Sequence, residues 1–220
     1  SSDLLLKALV QLKSLEKLTL NIQSGYSVSS RSENKLSFVL PSTLTKLTIN
    51  DHLEAGENLF LLKGLSSRKL PNLKYFSYSC DIGPYSGREQ ELLEQAITRY
   101  PTLEEMRLIN VVPSENMASP TIRKFEGHWM NMPTAKLNKE QLQDINQFLK
   151  KSARIEDLIM RADQLAQFAE LTEGLRQLNN LKKLVLEHRG SSAYPFTARK
   201  EDTAKEDDMN ILQVIRGVYR

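Results

Sequence analysis

Apolar side chains recur along the chain in one short pattern, in which an apolar residue is followed by another three and five positions later. Two copies, at 122–127 and 155–160, are degenerate. The central apolar residues stand at 18, 47, 76, 106, 125, 158 and 184, so they are separated by 29, 29, 30, 19, 33 and 26 positions. Such spacing indicates an internal repeat. The five clear copies read LEKLTL (15–20), LTKLTI (44–49), LKYFSY (73–78), LEEMRL (103–108) and LKKLVL (181–186).

Each copy contains a short stretch in which apolar and polar residues alternate. In the first copy, Leu18 and Leu20 alternate with Lys17, Thr19 and Asn21. A period of two places the leucines on one face of a β-strand and the polar residues on the other. The pattern therefore predicts seven strands, each with one apolar face.

Segments with helical periodicity lie between these strands. Residues 86–99 begin with Ser86 and Glu89 at the spacing of a capping box, and 138–150 begin with Asn138 and Gln141 at the same spacing. Further helices are predicted at 53–65, 163–178, 1–12 and 207–220.

A strand followed by a helix cannot bury its apolar face alone, but stacked copies bury a continuous core. We therefore expect an α/β solenoid of about seven irregular repeats over residues 1–188, with parallel strands on its concave side and helices on its convex side. Within it, 1–12 is interpreted as the outer helix of a preceding repeat and the Ser-rich 23–35 as a flexible loop. Residues 189–220 are interpreted as a charged linker and a C-terminal capping helix.

The repeated strings resemble leucine-rich repeats of the irregular, ribonuclease-inhibitor-like class. The resemblance covers residues 1–188 and implies a horseshoe-shaped solenoid. The family usually carries Asn or Cys three positions after the last template leucine, where the side chain ties neighbouring loops together. Here only Asp81 and Asp163 are plausible substitutes. The seven residues at this position are Gln23, His52, Asp81, Val111, Met130, Asp163 and Arg189.

The composition agrees with a repeat whose core positions are usually leucine, because the chain has 35 leucines against 11 isoleucines and 8 valines. No apolar run approaches the roughly 18 residues of a membrane span, so we expect no membrane insertion. The 30 basic and 27 acidic residues are interspersed, which argues against nucleic acid as a partner. The single cysteine, Cys80, excludes an internal disulfide and predicts an intracellular, cytoplasmic protein.

Motifs that would indicate chemistry are absent from the sequence. It contains no phosphate-binding GxxxxGK[ST], no GxGxxG, no HExxH, no CxxC, no EF-hand loop and no GxSxG. We therefore expect no enzyme activity, no catalytic residues, no cofactor and no metal site. The three histidines fall in different repeats and are interpreted as surface residues; they are His52, His128 and His188.

Two other side chains have alternative interpretations. Alternation places Cys80 towards the core, where a buried structural thiol is favoured over a reactive one. Trp129 either fills the gap left by Gly127 or is an exposed aromatic anchor for a partner.

The outward residues of the predicted strands form three columns, which we expect to be the partner-binding surface. A solvated face does not require apolar residues, yet Ile109, Ile159 and Val185 lie on it. The strongest candidate for a binding patch is therefore Tyr75, Arg107, Ile109, Ile159 and Arg161. The full set of candidate partner-binding residues is Lys17, Thr19, Lys46, Thr48, Tyr75, Ser77, Glu105, Arg107, Ile109, Asp157, Ile159 and Arg161.

The leading hypothesis is a non-catalytic protein–protein interaction or scaffold module that binds another protein through its concave face, as a subunit of a larger complex. The alternative is the substrate- or ligand-recognition part of a larger multidomain protein, such as a ubiquitin-ligase receptor, an immune receptor or a bacterial effector. A third hypothesis, an enzyme with an unfamiliar site or an RNA-binding surface, is supported only by Lys17 and Lys46.

Overall fold

Seven strands form one parallel sheet in which neighbours along the chain are also neighbours in space. The structure, a computed structural model, describes residues 12–23, 40–52, 59–67, 69–80, 87–129, 137–162, 166–188 and 196–197. The parallel strands are β1 (Lys17–Gln23), β2 (Lys46–His52), β3 (Tyr75–Cys80), β4 (Glu105–Ile109), β5 (Lys124–Trp129), β6 (Asp157–Ala162) and β7 (Lys183–His188). A two-residue strand, β8 (Phe196–Thr197), pairs antiparallel with β7.

The register of the sheet aligns the central apolar residues of all seven copies. Leu18 pairs with Leu47, and the same row continues across every strand to Leu184. The predicted strands and their α/β context are therefore confirmed. The complete row is Leu18, Leu47, Phe76, Met106, Phe125, Leu158 and Leu184.

The same backbone turn precedes every parallel strand. In each copy the N–H of the first template residue donates to the carbonyl three positions earlier, as Leu44 does to Pro41 at 3.3 Å. In the six copies that contain β2 to β7, two successive N–H groups then donate to one carbonyl of the preceding copy. Thr45 and Lys46, for example, donate to Glu16 at 2.8 and 3.0 Å. Each of these six copies thus begins its strand on the backbone of the previous copy.

Side chains immediately before the template add a second set of contacts between copies. Thr43 Oγ1 donates to the carbonyl of Leu15 at 2.7 Å, and Thr121 Oγ1 donates to that of Leu103 at 2.7 Å. These contacts are not among the features predicted above, although the strings STL, PNL, PTL, PTI and NNL carry the signal. The other donors of this kind are Asn72, Thr102 and Asn180.

The core lies on the leucine-bearing face of the sheet and against the helices. The helices are α1 (Leu59–Ser66), α2 (Gly87–Ile97), α3 (Lys139–Lys151), α4 (Ala166–Ala169) and α5 (Thr172–Leu175), and a 3₁₀ turn spans Glu115–Met117. The side chain of Asn138 caps α3 by accepting from the N–H of Gln141 at 2.9 Å, and Gln141 Oε1 accepts from the N–H of Asn138 at 2.9 Å. This confirms the predicted capping box.

The single helix predicted over 163–178 is wrong, because the structure has the separate short helices α4 and α5 there. Asn146 of α3 explains the break. Its Oδ1 accepts from the N–H of Gly174 at 2.8 Å, and its Nδ2 donates to the carbonyl of Glu170 at 2.8 Å. A contact from another helix therefore overrides the local apolar periodicity.

Several predictions lie outside the described residues. They are the helices at 1–12 and 207–220, apart from Leu12 itself, the loop at 23–35 after Gln23, and the linker from 189 onward apart from β8. Within the described part of the chain, none of the helices has the length and apolar character that crossing a membrane requires.

Candidate functional site

The side chains opposite the core form three columns, one residue per strand, which together are called the polar face below. The register confirms the predicted columns, since each residue pairs with its equivalent on the next strand. The first column is Lys17, Lys46, Tyr75, Glu105, Lys124, Asp157 and Lys183. The second is Thr19, Thr48, Ser77, Arg107, Glu126, Ile159 and Val185. The third is Asn21, Asn50, Ser79, Ile109, His128, Arg161 and Glu187.

Exposure on the polar face is lower than its alternation predicts. Only 2% of the surface of Ser77 is exposed, so its prediction as a partner-binding residue is corrected: it is buried. Only 9% of the surface of Val185 is exposed, so it is not the exposed apolar residue that the alternation predicted. Ile109 and Ile159 are half-buried. Neighbouring side chains in the same columns cover these positions, because adjacent strands lie only about 5 Å apart.

The part of the polar face on β1 to β3 is small and polar. Asn50 Nδ2 donates to Asn21 Oδ1 at 2.6 Å, which joins two equivalent amides across neighbouring strands. The Nζ of Lys46 lies 4.1 Å from the centre of the Tyr75 ring, a cation–π contact. Lys17 and Lys46 are exposed, and Tyr75 is half-buried. These contacts orient the amides and one lysine without burying either lysine.

The part on β4 to β7 is a network of charges centred on Glu126. Its Oε1 lies 2.7 Å from His128 Nε2, 2.9 Å from Arg161 Nη1 and 3.5 Å from Arg107 Nε. Arg161 also pairs through Nε with Glu187. The binding-patch residues Arg107 and Arg161 are therefore brought together, but by acids of the protein itself.

Burial alone would raise the pKa of the Glu126 carboxyl, but Arg107 and the other cationic neighbours lower it below its ordinary value. Burial, followed by the charge of Arg161, lowers the pKa of His128 below its ordinary value. The hydrogen bond to Glu187, opposed by partial burial, raises the pKa of Arg161. At neutral pH the network therefore contains ionised Glu126, neutral His128 and charged Arg161.

His128 corrects the interpretation of the histidines as surface residues, since its side chain is only 12% exposed. Its Nε2 lies within hydrogen-bonding distance of both Glu126 and Arg161. The ionised carboxylate can only accept and the guanidinium can only donate, so a neutral ring satisfies one of these contacts at a time. The signal in the sequence was the opposite charges of residues at equivalent positions on neighbouring strands, Arg107 with Glu126 and Arg161 with Glu187.

Two ties between strands lie one position earlier than the family pattern implies. Asn110, rather than Val111, follows β4 with a positive φ of 58°. Its Nδ2 donates to the carbonyl of Cys80 at 2.7 Å, and its N–H donates to the carbonyl of His128 at 2.6 Å. The equivalent Asp51 is fully buried and its Oδ2 accepts from the hydroxyl of Tyr78 at 2.5 Å. Asp81 and Asp163 lie outside the described residues.

The remaining candidate side chains lie in the core. Cys80 is buried, as predicted for a structural thiol. Trp129 is buried over Gly127, and its Nε1 donates to the carbonyl of Val111 at 2.8 Å. The prediction that the indole fills the gap left by the glycine is therefore confirmed, and the alternative of an exposed aromatic anchor is wrong.

Among the described residues, no three His, Cys, Asp or Glu side chains are placed to hold a metal ion together. No family model matches the sequence, and no curated protein matches it.

Proposed function

We propose that the protein is a leucine-rich-repeat solenoid that binds another protein through its polar face, without catalysing a reaction. The observation that carries the proposal is the alignment of seven equivalent strands, which presents three columns of non-core side chains on one surface. In solenoids this surface is the concave one, and its extent suits recognition of a partner protein.

The turns between copies support the repeat. All seven parallel strands begin with the same hydrogen-bonded turn, and five of them carry a Thr or Asn side chain that donates to the preceding copy. Equivalent backbone positions thus make equivalent contacts, as expected when each repeat packs only on its neighbours. The buried Cys80, which is the chain's single cysteine, supports a cytoplasmic location.

Photo-crosslinking in cells of the native source tests the proposal. The crosslinking residue p-benzoylphenylalanine replaces Thr19 or Lys183, which are exposed at opposite ends of the polar face. The matched controls replace Gln95 of α2 or Gln143 of α3, which are exposed on helices. We expect both face positions to crosslink one discrete protein and both helix positions to leave it uncaptured.

Competition then assigns the binding residues. Purified wild-type protein should suppress the crosslink, and the variant Tyr75→Ala/Arg107→Ala/Ile159→Ala should fail to suppress it. Equal capture from the helix positions, or full competition by the triple variant, would show that the polar face is not the binding surface.

A further inference from the structure

The charges of the polar face are divided unequally between its two ends. On β4 to β7 the polar face carries four acidic and four basic side chains. Neighbouring charged side chains within one column have opposite charges. The pairs Lys124–Glu105, Arg107–Glu126 and Arg161–Glu187 make contact. This end therefore neutralises itself and offers a partner little net charge.

The end on β1 and β2 has the opposite character. Lys17 lies directly opposite Lys46 in the register, and no acidic residue of the described strands β1 to β3 faces the same side. No ion pair joins either lysine to an acid in the part of the chain that the structure describes. Like charges that face each other across strands destabilise a sheet, so the pair does not serve the fold.

Protection of a sheet edge accounts for only one of the two lysines. A lysine on an edge strand hinders pairing with other chains, and this explains Lys17 if β1 is the edge. Lys46 lies on β2, which is paired on both sides. Its ammonium is held over the Tyr75 ring and remains exposed. The second lysine is thus positioned but not neutralised.

We infer that Lys17 and Lys46, with the flanking amides and hydroxyls, bind an acidic segment of the partner protein. The inference rests on the proposed function and specifies the chemistry of its partner. Two adjacent ammonium groups match a pair of carboxylates, and Thr19, Asn21 and Thr48 supply donors and acceptors beside them. A protein segment fits better than nucleic acid, because specific nucleic-acid binding relies on many phosphate contacts and two lysines supply few.

Fluorescence anisotropy of the full chain with a defined probe tests the inference. The probe is a labelled octapeptide of alternating Glu and Ser, and the comparison peptide replaces each Glu with Gln. The test variant is Lys17→Gln/Lys46→Gln. The matched control, Lys63→Gln/Lys139→Gln, removes two exposed lysines on helices α1 and α3, away from the polar face, and changes the net charge equally. Thermal melting followed by circular dichroism verifies that both variants fold.

We expect the wild type to bind the Glu peptide in preference to the Gln peptide, and more weakly at 200 mM than at 50 mM NaCl. The test variant should bind the Glu peptide roughly fivefold to tenfold more weakly, since two exposed ion pairs are lost. The control variant should stay within about twofold of the wild type.

Three results would overturn the inference. They are equal weakening in both variants, equal binding of the two peptides, and tighter binding of an eight-nucleotide oligothymidylate that depends on the same lysines. Crosslinking of the partner by Lys17→Gln/Lys46→Gln at wild-type strength would also reject the lysine site while leaving the proposed function intact. Loss of crosslinking at the polar face in the wild type would instead reject the proposed function.

Discussion

The indole of Trp129 occupies the space that a side chain on Gly127 would need. A Cβ at Gly127 would lie 2.5 Å from Cζ2 and 2.6 Å from Cη2 of that indole. On the core side of the sheet, Gly127 of β5 pairs with Leu108 of β4 and with Met160 of β6. The equivalent positions of the other strands carry larger residues than glycine. One aromatic residue two positions later thus supplies the volume that the template residue lacks.

Replacing Gly127 with Ala should therefore destabilise the protein. The new methyl group meets the indole and also approaches Phe125 at 3.1 Å, so the core must shift. Overpacking of this kind costs about 1–3 kcal/mol of unfolding free energy, measured by urea denaturation.

Gly87→Ala is the matched control, because a Cβ at Gly87 has no atom within 4 Å. Its unfolding free energy should be unchanged or raised by up to about 1 kcal/mol. A double-mutant cycle with Trp129→Leu should show that Gly127→Ala costs less once the indole is removed. Equal costs in both backgrounds would contradict the proposed packing.

The strands were predictable from the sequence because the information is local. Each copy places two apolar residues on one face, and equal offsets in parallel strands then fix the columns. The break between α4 and α5 was not predictable in this way. It depends on Asn146, which is contributed by another helix and contacts Gly174 across 28 positions of the chain.

The candidate site was predictable in position but not in chemistry. Alternation placed Arg107 and Arg161 on the correct face, and the register confirms it. Whether these cations are available to a partner depends on which acids reach them. Glu126 and Glu187 do so through side-chain geometry that no spacing rule contains.

Leu47→Ala should cost more stability than Leu184→Ala, although both leucines occupy the same template position. Leu47 is fully buried, whereas Leu184 is only partly buried. Emptying a buried leucine site costs about 2–5 kcal/mol, so Leu47→Ala should fall in this range and Leu184→Ala at or below its lower end. Urea denaturation of both variants measures the difference. Equal losses would show that the two ends of the sheet are packed equally well.

Acidification should destabilise the protein through His128. Because its pKa is lowered in the folded state, the unfolded chain binds this proton more readily. The stability that neutral His128 contributes is fully present above about pH 6.5 and is lost as the pH falls through the lowered pKa. The Glu126 carboxyl, whose pKa is also lowered, contributes in the same direction at more acidic pH.

Urea denaturation at pH 7.5, 6 and 5 measures this dependence, and His128→Gln is the comparison. The wild type should lose more unfolding free energy than the variant over this range. An NMR titration of the ring should give a pKa below 6.5. Parallel stability profiles of the two proteins would contradict a role for His128 in the charge network.

Asp144→Asn should stabilise the protein at neutral pH. Partial burial and then the charge of Glu140 raise the pKa of Asp144, and Glu94 and Glu115 act in the same direction. Glu140 and Asp144 are four positions apart on α3, where like charges destabilise a helix by roughly 0.2–0.5 kcal/mol. For a carboxyl group with a raised pKa, the penalty is present at high pH and disappears as the group is protonated. The gain measured by urea denaturation at pH 7 should therefore vanish near pH 3 and shrink in 0.5 M NaCl, because salt screens exposed charges. A gain that persists unchanged at pH 3 would assign the effect to packing instead of charge.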